Sequence, residues 1–168
     1  MMMTRSASFR TVALISCFLA LAACSKKNKP DLDAGFGDGT GMGQAAPGSK
    51  QEFQTVVGDR IYFIVDQVDL TPEARETLAR QAQWLLKYQQ VTIQVEGHAD
   101  ERGTREYNIS LSARRATNAR NFLIQQGVPS SRISSIAYGK ERPAALCDAE
   151  ECWSQNRRAV TVITGGTR

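Results

Sequence analysis

The sequence reads VEGHADERGTREYNISLSARRA at residues 95–116, and this stretch contains the end of a strand pattern, a polar loop and the start of a helix pattern. Apolar residues alternate with polar ones from position 91 to 96 and stop at Gly97, which is the pattern of a half-buried strand. A polar loop follows, and Thr104 is placed to cap a helix that continues to Gln126. The centre of the chain is therefore predicted to form a strand, a loop and a long helix.

Similar patterns on both sides predict one more helix and three more strands. Apolar side chains alternate in the strands, and Thr71-Pro72 supplies an N-cap and a first-turn proline for the helix. The expected elements are strands at 60–65, 133–138 and 158–163 and a helix from 71 to 88. The order β-α-β-α-β-(loop)-β predicts an α+β two-layer domain in which helices cover one face of a sheet.

The N-terminus has the pattern of a secretory signal, which we predict at residues 1–23. Arg5 and Arg10 precede an apolar run from Val12 to Ala22. A transmembrane anchor is the alternative, but a span needs about 20 apolar residues. The lysines that begin at Lys26 interrupt the run well before that length.

Residues 21–24, LAAC, resemble the lipobox of bacterial lipoproteins. The resemblance implies cleavage before Cys24, an S-diacylglycerol group on its thiol and an N-palmitoyl group on its new amine. Two or more acyl chains on one residue give stable membrane anchoring. Because Ser25 follows, rather than the Asp of an inner-membrane retention signal, we expect the outer membrane of a Gram-negative cell, with the domain facing the periplasm.

A polar, glycine-rich stretch follows the lipidation site, and residues 24–57 are expected to form a flexible tether. The remaining residues, 58–168, are enough for one domain with a single core. A tether between a lipid and a domain predicts a target outside the bilayer.

Charge and composition exclude several classes of protein. Of the 168 residues, 42% are hydrophobic and 23% are charged, as in soluble domains and unlike collagen-like, fully disordered or polytopic membrane chains. The 21 basic and 17 acidic residues are interleaved, and the net charge is +4. A nucleic-acid-binding domain of this size would carry a clustered basic stripe, so nucleic acid is not an expected partner.

Residues 95–116 closely resemble the peptidoglycan-binding signature of OmpA-like domains, as do YGKERP at 138–143 and NRR at 156–158. The similarity extends over residues 58–166 and implies a mixed four-stranded sheet, non-covalent peptidoglycan binding and no cofactor. With the lipobox and the tether, it also implies Tol-system partners, notably TolB, and a part in envelope integrity and outer-membrane invagination at cell division. Ile64 departs from the family, which commonly has an acid there.

The family's ligand explains which side chains the site needs. The free end of a meso-diaminopimelate stem carries an ammonium and a carboxylate on one carbon. The family's pair corresponds to Asp100 for the ammonium and Arg115 for the carboxylate. Thr104, Asn108 and Leu111 share one helix face with Arg115, because the four residues are spaced by four, three and four positions.

The C-terminal part of the chain carries further candidates. Arg157 or Arg158 is expected to complete the site, and only one of them, because neighbouring strand residues point in opposite directions. Cys147 and Cys152 are expected to form a disulfide in an oxidising periplasm, although their spacing also allows two unpaired thiols.

His98, close to Glu96 and Asp100, invites a metal-site or general-base interpretation. Zinc catalysis usually takes three protein ligands, and a catalytic nucleophile needs a base and an orienting group. The sequence presents neither of these two sets of residues. We expect His98 to bond the loop backbone, with no metal and no catalytic residue. A peptidoglycan amidase or peptidase remains the alternative function, and a surface lipoprotein that does not bind the wall is the third.

Overall fold

The computed structural model describes residues 45–167. The predicted signal at residues 1–23, the predicted lipidation site at Cys24 and most of the predicted tether lie outside the described residues. None of the helices within residues 45–167 combines the length and the apolar character that a membrane span requires.

Within this part of the chain the expected strands and helices occur in the expected order, and several short helical segments are additional. The elements are α1 (Lys50–Glu52), which passes into a π-helix (Phe53–Gly58), β1 (Arg60–Tyr62), α2 (Pro72–Lys87), β2 (Thr92–Gly97), α3 (Arg105–Gln125), a 3₁₀ turn (Ser130–Arg132), β3 (Ile133–Ala137), α4 (Glu150–Asn156) and β4 (Arg158–Gly165). The helix α4 lies where the sequence predicted a loop. The strand β1 is shorter than predicted, because the chain leaves the sheet after Tyr62.

The four strands form one mixed sheet in the order β1-β4-β2-β3. The central strand β4 runs antiparallel to β1 and to β2, whereas β2 and β3 are parallel. Gly97 pairs with Ala159, and Ala159 pairs with Ile61, so the end of β2, the start of β4 and the end of β1 lie side by side. The predicted mixed sheet is confirmed, and its topology brings three chain segments together at one edge.

The helices α2 and α3 pack on the same face of this sheet. Gly97 lies so close to α3 that a Cβ atom there would be 2.0 Å from the carbonyl oxygen of Ser112. Thr161 bonds through its hydroxyl to the side chain of Gln81 in α2 at 2.8 Å. Gly97, Ala159 and Thr161 point to one face, because Ala159 pairs with Gly97 and lies two residues before Thr161.

The predicted caps set the starts of both long helices. The hydroxyl oxygen of Thr71 accepts a hydrogen bond from the backbone N–H of Ala74 at 3.2 Å. The hydroxyl oxygen of Thr104 accepts one from the N–H of Tyr107, also at 3.2 Å. Each bond satisfies a donor that has no partner inside the helix, so α2 and α3 begin where the local sequence predicts.

The domain starts earlier than the sequence predicted. The hydroxyl oxygen of Ser49 caps α1 by accepting the N–H of Glu52 at 3.1 Å. Phe53 is fully buried, with its ring centre 4.9 Å from that of Trp84. The Trp84 indole donates to the carboxylate of Glu52 at 2.7 Å. The prediction of a tether up to residue 57 is therefore wrong for residues 49–57, because the buried side chains of Phe53 and Val57 and the bond from Trp84 to Glu52 hold this short segment on the domain.

Candidate functional site

A pocket of about 260 Å³ opens where the loop after β1, the loop after β2 and the helix α3 meet. Four residues that the sequence singled out line it, namely Asp100, Asn108, Leu111 and Arg115. Its other walls come from Val65, Asp66, Arg102, Gly103 and Tyr107, which the sequence analysis did not single out. The structure thus brings the predicted acid and the predicted base to one cavity.

Arg115 projects from α3 into a fully buried position and binds three backbone carbonyls. Its Nε donates to Gln67 at 3.0 Å, its Nη1 to His98 at 3.0 Å and its Nη2 to Ile64 at 3.2 Å. Burial lowers the pKa of Arg115 to about 10, and the nearby Asp100 carboxylate opposes this shift. The guanidinium is therefore charged at neutral pH, and it holds the loops after β1 and β2 together.

Asp100 is a buried carboxylate that two arginines contact. Nη2 of Arg102 lies 2.6 Å from its Oδ2, and Nη1 of Arg157 lies 3.3 Å from the same oxygen. Burial raises the pKa of Asp100, but the hydrogen bonds and charge of Arg102 and the bond from Arg157 outweigh this effect, so the pKa lies below its usual range. Asp100 is ionised at neutral pH.

Of the two adjacent arginines before and in β4, only Arg157 reaches Asp100. Its Nε also donates to the carbonyl of Phe63 at 3.1 Å, and its Nη2 pairs with Glu150. Arg158 points the other way and donates to the carbonyl of Arg142 at 3.1 Å. The expected alternation is observed: Arg157 contacts Asp100 without lining the pocket, and Arg158 does neither.

Two polar residues of α3 position the site. The side-chain amide of Asn108 is buried and donates to the carbonyl of Arg102 at 2.8 Å, which ties the loop after β2 to the helix. Thr104 does not line the pocket, and its hydroxyl is used as the helix cap. Asn108 and Thr104 thus support the loop that carries Asp100.

Asp66 adds a second carboxylate to the pocket, which sequence reasoning missed. Its φ of 55° lies in the left-handed region, where a residue other than glycine is uncommon. The hydroxyl of Tyr107 donates to its Oδ1 at 3.1 Å, and this bond raises the pKa of Tyr107. Asp66 belongs to the site because it lines the pocket, and no sequence motif indicated it.

The helix α4 supports the pocket from outside. Cys147 and Cys152 form a disulfide, which joins the loop before α4 to the helix itself. The Trp153 indole donates to the carboxylate of Glu101 at 2.6 Å, and its ring lies under the guanidinium of Arg102 at 4.2 Å. The expected disulfide is present. The two contacts of Trp153 were not predicted, because they join residues that are far apart in the sequence.

His98 differs from its predicted role. Its imidazole is buried, and neither ring nitrogen has a hydrogen-bond partner among the described residues, so the expected bond from the ring to the loop backbone is wrong. Burial lowers the pKa of His98 to about 4, and the charges of Arg158 and Arg142 add to this effect. The backbone of His98 has the structural role instead, since its carbonyl accepts the bond from Arg115.

Known proteins resemble this chain in sequence and in structure. The OmpA family model matches residues 62–157. A peptidoglycan-associated lipoprotein of Mesorhizobium japonicum is 56% identical and covers 92% of this chain and 90% of the relative. One from Brucella melitensis is 52% identical over 95% of each chain. The crystal structure of the peptidoglycan-associated lipoprotein from Burkholderia pseudomallei has a TM-score of 0.63 at 34% identity, over 66% of this chain and 96% of that one. The chain therefore belongs to the OmpA family and, within it, to the peptidoglycan-associated lipoproteins.

Proposed function

We propose that this protein binds peptidoglycan non-covalently through the free end of a meso-diaminopimelate stem. The observation that carries the proposal is that Asp100 and Arg115 line one pocket of about 260 Å³. A pocket with an acid and a base suits a ligand group that carries both charges on one carbon. The relatives are named for their association with peptidoglycan, which supports the same class of ligand.

The two charged groups of the ligand have complementary partners in the pocket. Three of the five N–H groups of Arg115 bind backbone carbonyls, which leaves two for the ligand's carboxylate. Asp100 is ionised and provides the acceptor for the ammonium. Both side chains are buried and held by other contacts, so little side-chain freedom is lost when the ligand binds.

We also propose that the domain is anchored in the outer membrane through acyl chains on Cys24, facing the periplasm. The lipobox pattern at residues 21–24 and the lipoprotein relatives support this anchoring. Together, lipid and peptidoglycan binding would link the outer membrane mechanically to the cell wall. Mass spectrometry of the mature N-terminus tests the proposal, and an uncleaved or unmodified Cys24 would contradict it.

Within the envelope we propose a role in the Tol-Pal system, with TolB as a partner. The motifs shared with the family and the lipoprotein relatives support this role. It includes envelope integrity and invagination of the outer membrane at cell division. Titration of the purified protein with purified TolB is the direct test, and we expect saturable binding.

Sedimentation with purified sacculi tests peptidoglycan binding by the full-length protein. Asp100→Asn keeps the shape of the side chain and removes its charge, so we expect at least a tenfold loss of binding, of the order of one charge-assisted contact. Asp69→Asn is the matched control, because it removes an exposed carboxylate outside the pocket. Circular dichroism checks that both variants fold. Equal sedimentation of Asp100→Asn and the parent would contradict the proposed site.

The samples from the sedimentation experiment also test the alternative of a peptidoglycan amidase or peptidase. We propose a non-catalytic role, and we expect no soluble muropeptides to be released during the incubation. His98 is the only histidine in the chain, and it is buried, has a pKa of about 4 and does not line the pocket. Release of muropeptides by the parent protein would overturn the non-catalytic role, and absence of sedimentation would favour a lipoprotein that does not bind the wall.

A further inference from the structure

The protein itself fills the acceptor positions of Asp100. Oδ1 accepts hydrogen bonds from the backbone N–H of Arg102 at 3.2 Å and from its Nε at 3.3 Å. Oδ2 accepts from Nη2 of Arg102 at 2.6 Å and from Nη1 of Arg157 at 3.3 Å. An ionised carboxylate offers about four lone-pair positions, so an ammonium binds Asp100 only when one of these donors leaves.

The two arginines differ in how firmly they are held. The side chain of Arg157 is 6% exposed, and it also binds the carbonyl of Phe63 and the carboxylate of Glu150. The side chain of Arg102 is 41% exposed, and its other contact is the face of the Trp153 ring. Water competes with an exposed ion pair more effectively than with a buried one, so Arg102 is the donor that can leave.

We propose that Arg102 is a specificity-determining residue, because its guanidinium occupies the ammonium position on Asp100 in the free protein. This inference rests on the function proposed above. The ligand's ammonium replaces the guanidinium of Arg102 on Asp100, and Arg102 then binds the ligand's carboxylate beside Arg115. The two charged groups of the ligand are on one carbon, so the displaced guanidinium has the carboxylate within reach.

This exchange favours a zwitterion over a simple amine. With a meso-diaminopimelate stem, the ion pair of Arg102 with Asp100 is broken and two others replace it. The ligand's ammonium pairs with Asp100, and Arg102 pairs with the ligand's carboxylate. A stem peptide with lysine at the same position brings the ammonium but lacks the neighbouring carboxylate, so Arg102 loses Asp100 and gains no partner from the ligand. Arg102 therefore selects against the lysine peptide, beyond the contact that Arg115 alone provides.

Calorimetric titration of the full-length protein with two soluble stem peptides tests this role. The peptides are identical except for meso-diaminopimelate or lysine at the third residue. We expect the parent to prefer the diaminopimelate peptide, and Arg102→Gln to reduce that preference roughly tenfold, mainly through tighter binding of the lysine peptide. Arg114→Gln is the matched control, since Arg114 is an exposed arginine of α3 that bonds Ser110, and it should keep the parent's preference.

The outcomes separate this inference from the function on which it rests. If the parent prefers the diaminopimelate peptide and Arg102→Gln keeps the same preference, the role of Arg102 is overturned while the proposed function stands. If the parent binds neither peptide, the proposed function fails and the role of Arg102 fails with it. A reduced preference in Arg102→Gln but not in Arg114→Gln supports the exchange.

Tryptophan fluorescence provides a second readout, which reports the movement of Arg102. The chain has two tryptophans, and Trp84 belongs to the buried core and does not line the pocket. We expect the diaminopimelate peptide to change the emission of the parent as the guanidinium leaves the Trp153 ring. In Arg102→Gln the change should be much smaller. Equal changes in the two proteins would contradict the displacement of Arg102.

Discussion

Residues 97–115 carry Asp100 and residues 144–157 contact it, but different interactions hold the two segments in place. The first segment leads from the end of β2 into the capped helix α3, so contacts between near neighbours in the chain fix much of its geometry. The second segment contains only one short helix, which a disulfide closes internally, and distant contacts from Arg157 to Asp100 and from Trp153 to Glu101 hold it against the first segment. The same site thus joins a locally determined part to a part that depends on distant contacts.

The two segments also contribute differently to the site. Residues 100–115 form much of the wall of the pocket. Residues 144–157 set the surroundings of Asp100, because Arg157 binds its carboxylate and Trp153 supports the guanidinium of Arg102. Changes in the first segment should therefore cost stability and binding together. Changes in the second should reach the pocket only indirectly, through Arg157 and through the Trp153 ring under Arg102.

The largest effect is expected from Arg115→Met in the first segment. The change leaves the carbonyls of Ile64, Gln67 and His98 without their charged donor. We expect the free energy of unfolding to fall by about 4 kcal/mol, in the range for loss of a buried charged hydrogen-bonding group. Urea denaturation measures the change, and Arg114→Met, an exposed neighbour, should change it by less than about 0.5 kcal/mol. Equal losses of stability in Arg115→Met and Arg114→Met would show that the loops after β1 and β2 do not depend on Arg115.

A smaller loss is expected when the cross-link of the second segment is removed. The double variant Cys147→Ser, Cys152→Ser opens a loop with a sequence separation of 5, for which loop-closure entropy predicts about 2 kcal/mol of lost stability. Urea denaturation with and without dithiothreitol provides the control. The reductant should lower the stability of the parent and leave the double variant unchanged. A parent that does not respond to reductant would contradict the role of the disulfide.

The contrast also explains which parts of the structure could be predicted from the sequence. The caps at Thr71 and Thr104 were predictable, since an N-cap bonds residues two or three positions ahead. The helix α4 was not, because its seven residues are too few to show a hydrophobic period. It is held by the disulfide and by the bond from Trp153 to Glu101.

The candidate site divides in the same way. The motif identified Asp100 and Arg115, and strand alternation indicated that one of Arg157 and Arg158 would reach the site. Which one does so depends on how β4 pairs with β1, and this is a property of the folded sheet. The occupation of Asp100 by Arg102 could not be predicted, because it depends on the turn that the loop adopts after β2.

The pH dependence of stability depends on His98, which lies in the first segment. The folded protein keeps His98 neutral, with a pKa of about 4, whereas the unfolded chain binds a proton below about 6.5. The stability that this difference provides is fully present above pH 6.5 and is lost as the pH falls towards 4. Between pH 7 and pH 5 we expect the free energy of unfolding to fall by about 1.8 kcal/mol.

Because His98 is the only histidine, one variant isolates this effect. In His98→Gln the fall in unfolding free energy between pH 7 and pH 5 should largely disappear, as measured by urea denaturation at the two pH values. The carboxylates whose pKa is lowered, such as Asp100, contribute mainly at more acidic pH, where protons bind them in the unfolded chain first. An unchanged pH dependence in His98→Gln would show that His98 is not held neutral by the fold.

The smallest effect concerns the bond from Trp153 to Glu101, one of the contacts that join the two segments. Trp153→Phe removes the hydrogen bond from the indole to Glu101 but keeps an aromatic ring under Arg102. The bond is exposed, so we expect a loss of about 0.5 kcal/mol of stability and little change in sacculus binding. A double-mutant cycle with Glu101→Ala, which removes the acceptor, measures the coupling. A coupling energy near zero would show that Trp153 acts on the first segment only through Arg102, whereas a value of about 0.5 kcal/mol would establish the bond to Glu101 as a second link between the segments.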